Sequence, residues 1–274
     1  MKKMIRKSLD GFLGNLGYVR KKPAYIDNVF GHKLFQNPGD DGINYHKLNN
    51  IPLSDFKYGE LSFLKQIKKG ETVIDLGANV GFYTLLFARQ VGVDGKVFAF
   101  EPGPQSFALL NKNVSVNHYK NVELINKAVS DKEKKGQFFL CRTGESDNRL
   151  FPTPNEQRDT IEMDIVSLDK YLGENTKVDF IKMDIQGSEY FALLGMEGIL
   201  KTNPKIRILL EYAPSCLEDS GVNLREFLTF IETQKFKIKV LHQKKEIETV
   251  TTQWVLDNCG EGKMFPHVNL IFEK

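Results

Sequence analysis

The sequence predicts an α/β fold with a doubly wound, mostly parallel sheet, on three observations. Short apolar runs typical of fully buried strands alternate with segments whose apolar residues recur at helical spacing. A turn of small residues joins one of these strands to the helix that follows it. Acidic residues stand at the ends of several strands, at the edge where such sheets bind ligands.

The central strand and its turn lie in residues 71–84, which read ETVIDLGANVGFYT. The run Val73–Leu76 is short, β-branched and apolar, as expected for a strand buried on both faces. The turn leads at Phe82 into a helix, and such a turn brings backbone N–H groups and a positive helix end towards a ligand. Asp75 is predicted to point to the same place, beside the turn residues Gly77, Ala78, Asn79 and Gly81.

Several interpretations compete for this turn. The dinucleotide fingerprint Gly-x-Gly-x-x-Gly is not matched, because Asn79 stands where its second glycine would be. A phosphate-binding P-loop does not fit either, since no Gly-Lys-Ser/Thr follows. A ligand with one carboxylate and no phosphate suits the turn better, and S-adenosylmethionine (SAM) is such a ligand. A glycine turn that only packs a helix on a sheet is the structural alternative.

The next strand, Lys96–Glu101, ends in a carboxylate 20 residues after Gly81. A carboxylate about 20 residues beyond a nucleotide-binding turn can accept hydrogen bonds from the hydroxyls of a ribose. Pro102 ends the strand, and helical spacing resumes over residues 105–117. The turn and the acid together are more specific than either alone, and they predict that Glu101 binds the ribose of SAM.

Further along the chain, residues 179–189 read DFIKMDIQGSE. Together with the turn, this segment resembles the D-F-[IL]-K-[IVM]-D-[IV]-E-G-x-E signature of the FkbM-type family of class I SAM-dependent methyltransferases, and the likeness covers roughly residues 29–274. The sequence departs from the family pattern at Gln186, where the family usually has Glu. An acid–base role is therefore not carried over to this position.

The resemblance implies a Rossmann-like sheet of seven strands in the order 3-2-1-4-5-7-6, with the last strand antiparallel. We expect a small N-terminal helix and cap segment over residues 1–58 and the methyltransferase domain over residues 59–274. Residues 136–141 and 160–166 are expected to pair, and the polar stretch between them is interpreted as a lid over the acceptor or as an ordinary surface loop. The remaining strands are expected at Asn121–Ile125, Val178–Asp184, Lys205–Glu211, Phe236–Leu241 and Val268–Phe272.

The candidate site residues come from the strand ends and from the resemblance. Glu60 is either a ligand of the SAM ammonium or an ordinary acid in a first helical turn. Asn126 and Ala128 are expected in the wall of the adenine pocket. The predicted cofactor-binding set is Glu60, Asp75, Gly77, Ala78, Asn79, Gly81, Phe82, Glu101, Pro102, Asn126, Ala128 and Asp184.

Three acids are the candidates for catalysis. Asp184 is expected to orient the acceptor or the methionine end of SAM. Glu189 either takes part in the chemistry or caps the following helix by accepting backbone N–H bonds. Glu211 is either a general base or the partner of Lys182.

Composition and charge limit the other functions and locations that the protein could have. The net charge of +3 is too small to argue for nucleic acid by itself. Residues 1–22 are basic and amphipathic, which favours either a peripheral contact with an anionic membrane or a terminal helix docked on its own domain. No apolar run approaches the roughly 20 residues of a membrane span, and the start lacks the features of a secretory signal. Three scattered cysteines predict reduced thiols in a cytoplasmic protein, and no spacing predicts a metal site.

The sequence thus predicts a SAM-dependent methyltransferase. By analogy with the family, the expected acceptor is a hydroxyl of a small molecule or of a sugar or glycan unit. An RNA or protein methyltransferase on the same fold is an alternative. So is a SAM-binding module without turnover, to which Gln186 points.

Overall fold

The computed structural model describes residues 24–36, 60–142, 145–153, 156–242 and 245–274. Several expectations therefore lie outside the described residues: the basic N-terminal helix, the side chain of Glu60 and the proposed domain boundary near residue 58.

The described chain alternates strands and helices as the apolar pattern predicts. Its strands are β1 (Ala24–Val29), β2 (His32–Gln36), β3 (Thr72–Leu76), β4 (Lys96–Phe100), β5 (Val122–Ile125), β6 (Ala128–Val129), β7 (Lys134–Leu140), β8 (Asp159–Val166), β9 (Phe180–Met183), β10 (Arg207–Tyr212), β11 (Lys237–His242), β12 (Lys245–Val250) and β13 (Val268–Glu273). Its α-helices are α1 (Glu60–Leu64), α2 (Phe82–Val91), α3 (Pro104–Val116), α4 (Glu189–Leu194), α5 (Glu197–Thr202), α6 (Pro214–Asp219), α7 (Leu224–Thr233) and α8 (Thr252–Asn258).

The main sheet has eight strands in the order β12-β11-β13-β10-β9-β3-β4-β5. Strands β5, β4, β3, β9 and β10 run parallel, while β13 is antiparallel to both of its neighbours. The α/β doubly wound fold class is thus confirmed. Strand β12 is an eighth strand that the sequence did not predict, and it extends the sheet beyond β11 as an antiparallel edge.

The central strand is buried on both faces, as its composition predicts. Ile74 and Leu76 belong to a core cluster on one face, which also includes residues of α4, α5 and α7. Val73 belongs to the cluster on the opposite face, with residues of α2 and α3. This packing fixes β3 in the middle of the sheet, so the turn that follows it opens at the carboxyl edge.

Two smaller sheets flank the main one. Strand β7 pairs with β8 in an antiparallel register from Lys134–Ile165 to Leu140–Asp159, and β6 joins β8 as a third strand. Strands β1 and β2 form an antiparallel hairpin. Ile26 and Leu34 of this hairpin are buried in the same cluster as α2 and α3, so the hairpin shares the core of the larger domain.

Two asparagines, Asn113 of α3 and Asn117 at its C-terminal cap, dock the hairpin. Asn113 accepts a hydrogen bond from the Phe35 backbone N–H at 2.7 Å and donates one to the Phe35 carbonyl at 2.8 Å. One helical turn further on, Asn117 makes the same pair of bonds with the backbone of Lys33, at 2.9 and 2.7 Å. The amide groups thus act as strand partners for β2, because residues at i and i+4 lie on one face of a helix.

Within the described ranges, none of the helices is both long and apolar enough to cross a lipid bilayer.

Candidate active site

A cavity of about 530 Å³ opens at the carboxyl ends of β3, β4, β9 and β10. This is the edge at which the sequence predicted the ligand. Of the predicted site residues, those that line the cavity are Gly77, Ala78, Asn79, Phe82, Glu101, Pro102, Ala128, Asp184 and Glu211.

The turn after β3 is held by the neighbouring strands. The backbone N–H groups of Gly77 and Ala78 both donate to the Phe100 carbonyl, at 3.1 and 3.0 Å. Gly77 has a φ of 77°, and a Cβ there would lie only 1.8 Å from the Asp184 carbonyl oxygen. A glycine is needed at this position because the backbones of two strand ends meet there.

Glu101 is the central acid of the donor side, a name we use for the cavity wall formed by residues 77–80, Glu101 and Pro102. Its Oε2 accepts a hydrogen bond from the Asn79 backbone N–H at 2.7 Å, and its Oε1 accepts one from the Gly103 backbone N–H at 2.7 Å. The side chain is 6% exposed. Glu101 also lines the cavity, and a carboxylate can accept several hydrogen bonds, including those of a ligand.

Three residues of the predicted cofactor set lie behind the cavity wall. Asp75 is fully buried, and its Oδ2 accepts a hydrogen bond from the Thr84 hydroxyl at 2.5 Å. Asn126 donates to the carbonyls of Glu101 and Pro102, at 2.8 and 3.0 Å. Gly81 precedes α2 with a φ of 92°. All three shape the wall without lining the cavity.

The acceptor side, as we name the group Asp184, Gln186 and Glu211, lies at the ends of β9 and β10. Gln186 donates from Nε2 to Asp184 Oδ1 at 3.0 Å and to Glu211 Oε2 at 3.2 Å. The Lys182 ammonium lies 3.2 Å from Asp184 Oδ2 and 4.7 Å from the centre of the Tyr83 ring. Two carboxyl groups, one amide and one buried cation therefore meet in one wall.

The two carboxyl groups of the acceptor side titrate in opposite directions. Burial alone would raise the pKa of Asp184, but the Lys182 ammonium and the hydrogen bonds from Glu211 and Gln186 lower it below its ordinary value. The charge of Asp184, together with burial, raises the pKa of Glu211 well above its ordinary value. These opposite shifts favour the charge on Asp184 and the proton on Glu211 when the pair shares one proton.

Gln186 keeps this position in a strained backbone conformation. Its φ is 51°, in the left-handed region that a non-glycine residue seldom adopts. Gly187 follows with a φ of 95°, and a Cβ there would lie 2.3 Å from the Cys216 carbonyl oxygen. The turn therefore packs closely against α6, while the Gln186 amide is held by its hydrogen bonds to the two carboxyl groups.

Glu189 does not line the cavity. It is 2% exposed and accepts a hydrogen bond from the Ile185 backbone N–H at 3.0 Å, at the start of α4. Burial raises its pKa to about 7. Of the two roles considered for Glu189, this geometry favours the cap.

Several lining residues were not among the predicted set. Ser146, Asp147, Asn148 and Leu150 come from the polar stretch between β7 and β8, which thus forms part of the wall. Arg149 ties this segment to α6, because its guanidinium lies 2.8 Å from Asp147 Oδ1 and 3.4 Å from Asp219 Oδ2. In the sequence, only the polarity of this stretch indicated that it could form part of the site. Gln36, Tyr83, Lys127, Lys182, Gln186 and Asn269 also line the cavity.

Histidine and cysteine contribute nothing to the described lining. His32 is hydrogen-bonded to the Tyr119 hydroxyl at 2.6 Å, and burial with the nearby Arg89 charge lowers its pKa to about 4. Among the described residues, no three His, Cys, Asp or Glu side chains are grouped so that they could hold a metal ion.

The family model of the methyltransferase FkbM domain matches residues 75–243, which contain the turn, Glu101 and the acceptor side. The chain belongs to the FkbM methyltransferase family. Its methyl donor is therefore SAM, as the turn and Glu101 predicted.

Similarity to individual proteins is more limited. The chain is 23% identical to methyltransferase 1 of Beauveria bassiana over 145 residues, 46% of this chain and 58% of that protein. It is 43% identical to the arsenite methyltransferase of Halobacterium salinarum over 54 residues, 20% of this chain and 14% of that protein. The chain thus spans less than two thirds of either relative.

Solved structures resemble this FkbM methyltransferase at low sequence identity. The methyltransferase FkbM from Methylobacillus flagellatus superposes with a TM-score of 0.47 at 17% identity, over 83% of this chain and 49% of that chain. A SAM-dependent O-methyltransferase from Thermotoga maritima gives a TM-score of 0.44 at 16% identity, over 93% and 78%. Because both scores are below 0.5, family membership rests on the family model alone.

Proposed function

We propose that this FkbM methyltransferase transfers the methyl group of SAM to a hydroxyl oxygen of a small molecule or of a sugar or glycan unit. One observation carries the proposal. The Asp184 side chain, held by Lys182 and Gln186 beside Glu211, lines the same cavity as the turn at residues 77–80 and Glu101. A proton acceptor and a cofactor wall thus face one space.

The donor side fits SAM in its chemistry. Glu101 offers carboxylate lone pairs to the two ribose hydroxyls, while its own orientation is fixed by the backbone N–H groups of Asn79 and Gly103. Pro102 and Ala128 supply apolar surface for the adenine ring next to Glu101. Bound SAM supplies a methyl group already activated by the sulfonium.

The task of the protein is therefore to align the acceptor and to receive its proton. The acceptor oxygen forms a bond to the methyl carbon as the carbon–sulfur bond breaks, and S-adenosylhomocysteine leaves with the electron pair of that bond. The hydroxyl proton passes to the Asp184 carboxylate, which is the ionised member of the pair. Glu211 and Gln186 orient Asp184, and a base positioned in this way contributes on the order of 10²–10⁴-fold in rate.

Other acceptor classes have weaker support. The arsenite methyltransferase likeness would suggest a thiol-based arsenic site, but none of the three cysteines is among the residues found to line the cavity. An RNA or protein acceptor would call for a basic or aromatic surface beside the site. The basic segment that the sequence offers, residues 1–22, lies outside the described residues. The polar, acidic acceptor side favours a hydroxyl compound.

The test is a calorimetric titration of the purified protein with SAM and with NAD, followed by measurement of S-adenosylhomocysteine release with a panel of polyols, glycosides and small phenols. We expect SAM to bind and NAD not to bind, and at least one hydroxyl compound to stimulate release. Binding of SAM without turnover across the panel would support the alternative of a SAM-binding module. Release stimulated by RNA or a protein, but by no small hydroxyl compound, would contradict the proposed acceptor class.

A further inference from the structure

Strand β13 carries one polar residue within an apolar run. Residues 268–272 read Val-Asn-Leu-Ile-Phe, and all of them except Asn269 are buried hydrophobic side chains. Asparagine is depleted in strands, because its short amide competes with the backbone for hydrogen bonds. Asn269 is partly exposed and lines the cavity. An open polar side chain at this place indicates a contact with a ligand.

The register of the sheet places Asn269 beside Glu211. In the antiparallel pair of β10 and β13, the two residues stand directly opposite each other. Such side chains lie on the same face of a sheet, with Cβ atoms about 4.5–5.5 Å apart. In the parallel pair of β9 and β10, Met183 is level with Leu210. The residues that follow them, Asp184 and Glu211, continue this alignment, and their carboxyl groups share a hydrogen bond. The two acids and Asn269 therefore form one row across the edge of the sheet.

The amide of Asn269 is open to a ligand. Among the described residues, none forms a hydrogen bond with this side chain. Its neighbour in register on the other side of β13 is Leu241, a buried apolar residue that offers no hydrogen bond. An asparagine amide has two N–H donors and one carbonyl acceptor, so it can both donate to and accept from a single group. A hydroxyl is such a group, since it is a donor and an acceptor as well.

The position of Asn269 in the row separates it from Asp184, the proposed proton acceptor. Their strands, β13 and β9, have β10 between them, which places the strands about 9–10 Å apart. A hydrogen bond joins heavy atoms only about 2.7–3.2 Å apart. A hydroxyl that gives its proton to Asp184 therefore leaves Asn269 to a different part of the acceptor.

We propose that Asn269 binds a second hydroxyl group of the methyl acceptor and so selects compounds with more than one hydroxyl. This inference rests on the proposed function, because it assumes that a hydroxyl compound enters the cavity. Asn269 determines specificity and takes no part in the proton transfer. Its loss should therefore raise the KM for the acceptor and leave kcat nearly unchanged.

Matched acceptors separate this contact from a general effect on the site. The probes are methyl glycosides with their monodeoxy derivatives, dihydric phenols with phenol, and cyclohexanediols with cyclohexanol. In Asn269→Val, kcat/KM should fall by about 5–10-fold for a compound that carries the second hydroxyl, as expected for one lost hydrogen bond. It should be unchanged for the matched compound without that hydroxyl, because the substitution and the missing hydroxyl remove the same bond.

A conservative variant and a control complete the experiment. Threonine and valine are both β-branched and suit a strand, and they differ chiefly in the hydroxyl. Asn269→Thr should therefore lose less than Asn269→Val. The matched control is Gln137→Val, which replaces an exposed amide of β7 outside the described lining of the cavity and should change neither kcat nor KM. Calorimetric titration of both Asn269 variants should show unchanged affinity for SAM.

Three results would overturn the inference: an unchanged KM in Asn269→Val, an equal loss for compounds with and without the second hydroxyl, or an equal loss in Asn269→Val and Asn269→Thr. Weaker binding of SAM in these variants would also overturn it, because Asn269 would then act on the methyl donor. Failure of the unsubstituted protein to methylate any of the probes is a different outcome. It would remove the proposed function itself, and this contact with it.

Discussion

The two sides of the cavity hold their carboxyl groups by different means. On the donor side, two backbone N–H groups fix the two oxygens of Glu101. They belong to Gly103, two residues later in the chain, and to Asn79, 22 residues earlier. On the acceptor side, Asp184 and Glu211 are held by side chains, the Lys182 ammonium and the Gln186 amide, and by each other. A carboxylate held by backbone N–H groups has a fixed geometry. A carboxylate held by neighbouring side chains has a pKa that depends on the charge and the hydrogen bonds of each neighbour. The first arrangement suits binding and the second suits proton transfer.

The largest expected effect is on the acceptor side. Asp184→Asn removes the proposed proton acceptor while keeping its shape, so turnover should fall by roughly 10²–10⁴-fold. Because the charge of Asp184 is the main cause of the raised pKa of Glu211, Glu211 should ionise more readily in this variant and remain as the counter-ion of Lys182. Measurement of single-turnover rates together with SAM affinity tests this.

The affinity of Asp184→Asn for SAM should stay within about threefold of the unsubstituted protein, since the residue acts on the acceptor. An equal loss of affinity and turnover would make Asp184 a cofactor ligand instead. Thermal unfolding is the control for the loss of the Asp184 charge beside the buried Lys182 ammonium.

Substitutions on the donor side should change the affinity for SAM. Glu101→Ala leaves the ribose hydroxyls and two backbone N–H groups without their acceptor, and SAM binding should weaken by about 10–100-fold. Glu101→Gln retains one acceptor oxygen and should lose less. Calorimetric titration of both variants checks the order, and unchanged affinity in Glu101→Ala would remove this residue from the cofactor site.

These two sides also differ in how far the sequence predicts them. The donor side follows from a local pattern: a small-residue turn and an acid 20 residues after Gly81, each at the end of its own strand. The fold class followed from the same strand pattern, although the edge strand β12 was missed. The charge states of the acceptor side depend on strands β9 and β10 meeting at one edge, and no spacing in the chain shows that Gln186 will bridge two carboxyl groups. Gln36 was missed for the same reason, since the contact through Asn113 joins residues 78 positions apart.

A smaller effect on turnover is expected at Gln186, which stands where the resembling family pattern has glutamate. Gln186→Glu replaces a donor to both carboxyl groups with a third carboxylate, so the pKa of the pair should rise. If Asp184 must be ionised, the acid limb of the pH–rate profile should move to higher pH and turnover at pH 7 should fall by roughly tenfold. Gln186→Leu is the matched control, because it removes the amide without adding charge. If the pH–rate profile of Gln186→Glu is the same as that of the unsubstituted protein, the acceptor side does not determine the pH dependence of turnover.

The smallest effect on activity is expected at Glu189, the buried acid that touches neither side of the cavity. Burial raises its pKa from the ordinary 4.5 to about 7. Between these two pH values, Glu189 is protonated in the folded protein and ionised in the unfolded chain. The free energy of unfolding should therefore fall as the pH rises from about 4.5 to 7, and the contribution of Glu189 should be constant above pH 7. Glu189→Gln retains an oxygen for the Ile185 N–H and cannot ionise, so the decline attributable to Glu189 should disappear while turnover changes by less than about threefold. Chemical unfolding at pH 5, 6, 7 and 8 measures the first effect, and steady-state rates measure the second. A large loss of turnover with unchanged stability would instead assign Glu189 to the chemistry, and the acceptor side would then extend to the start of α4.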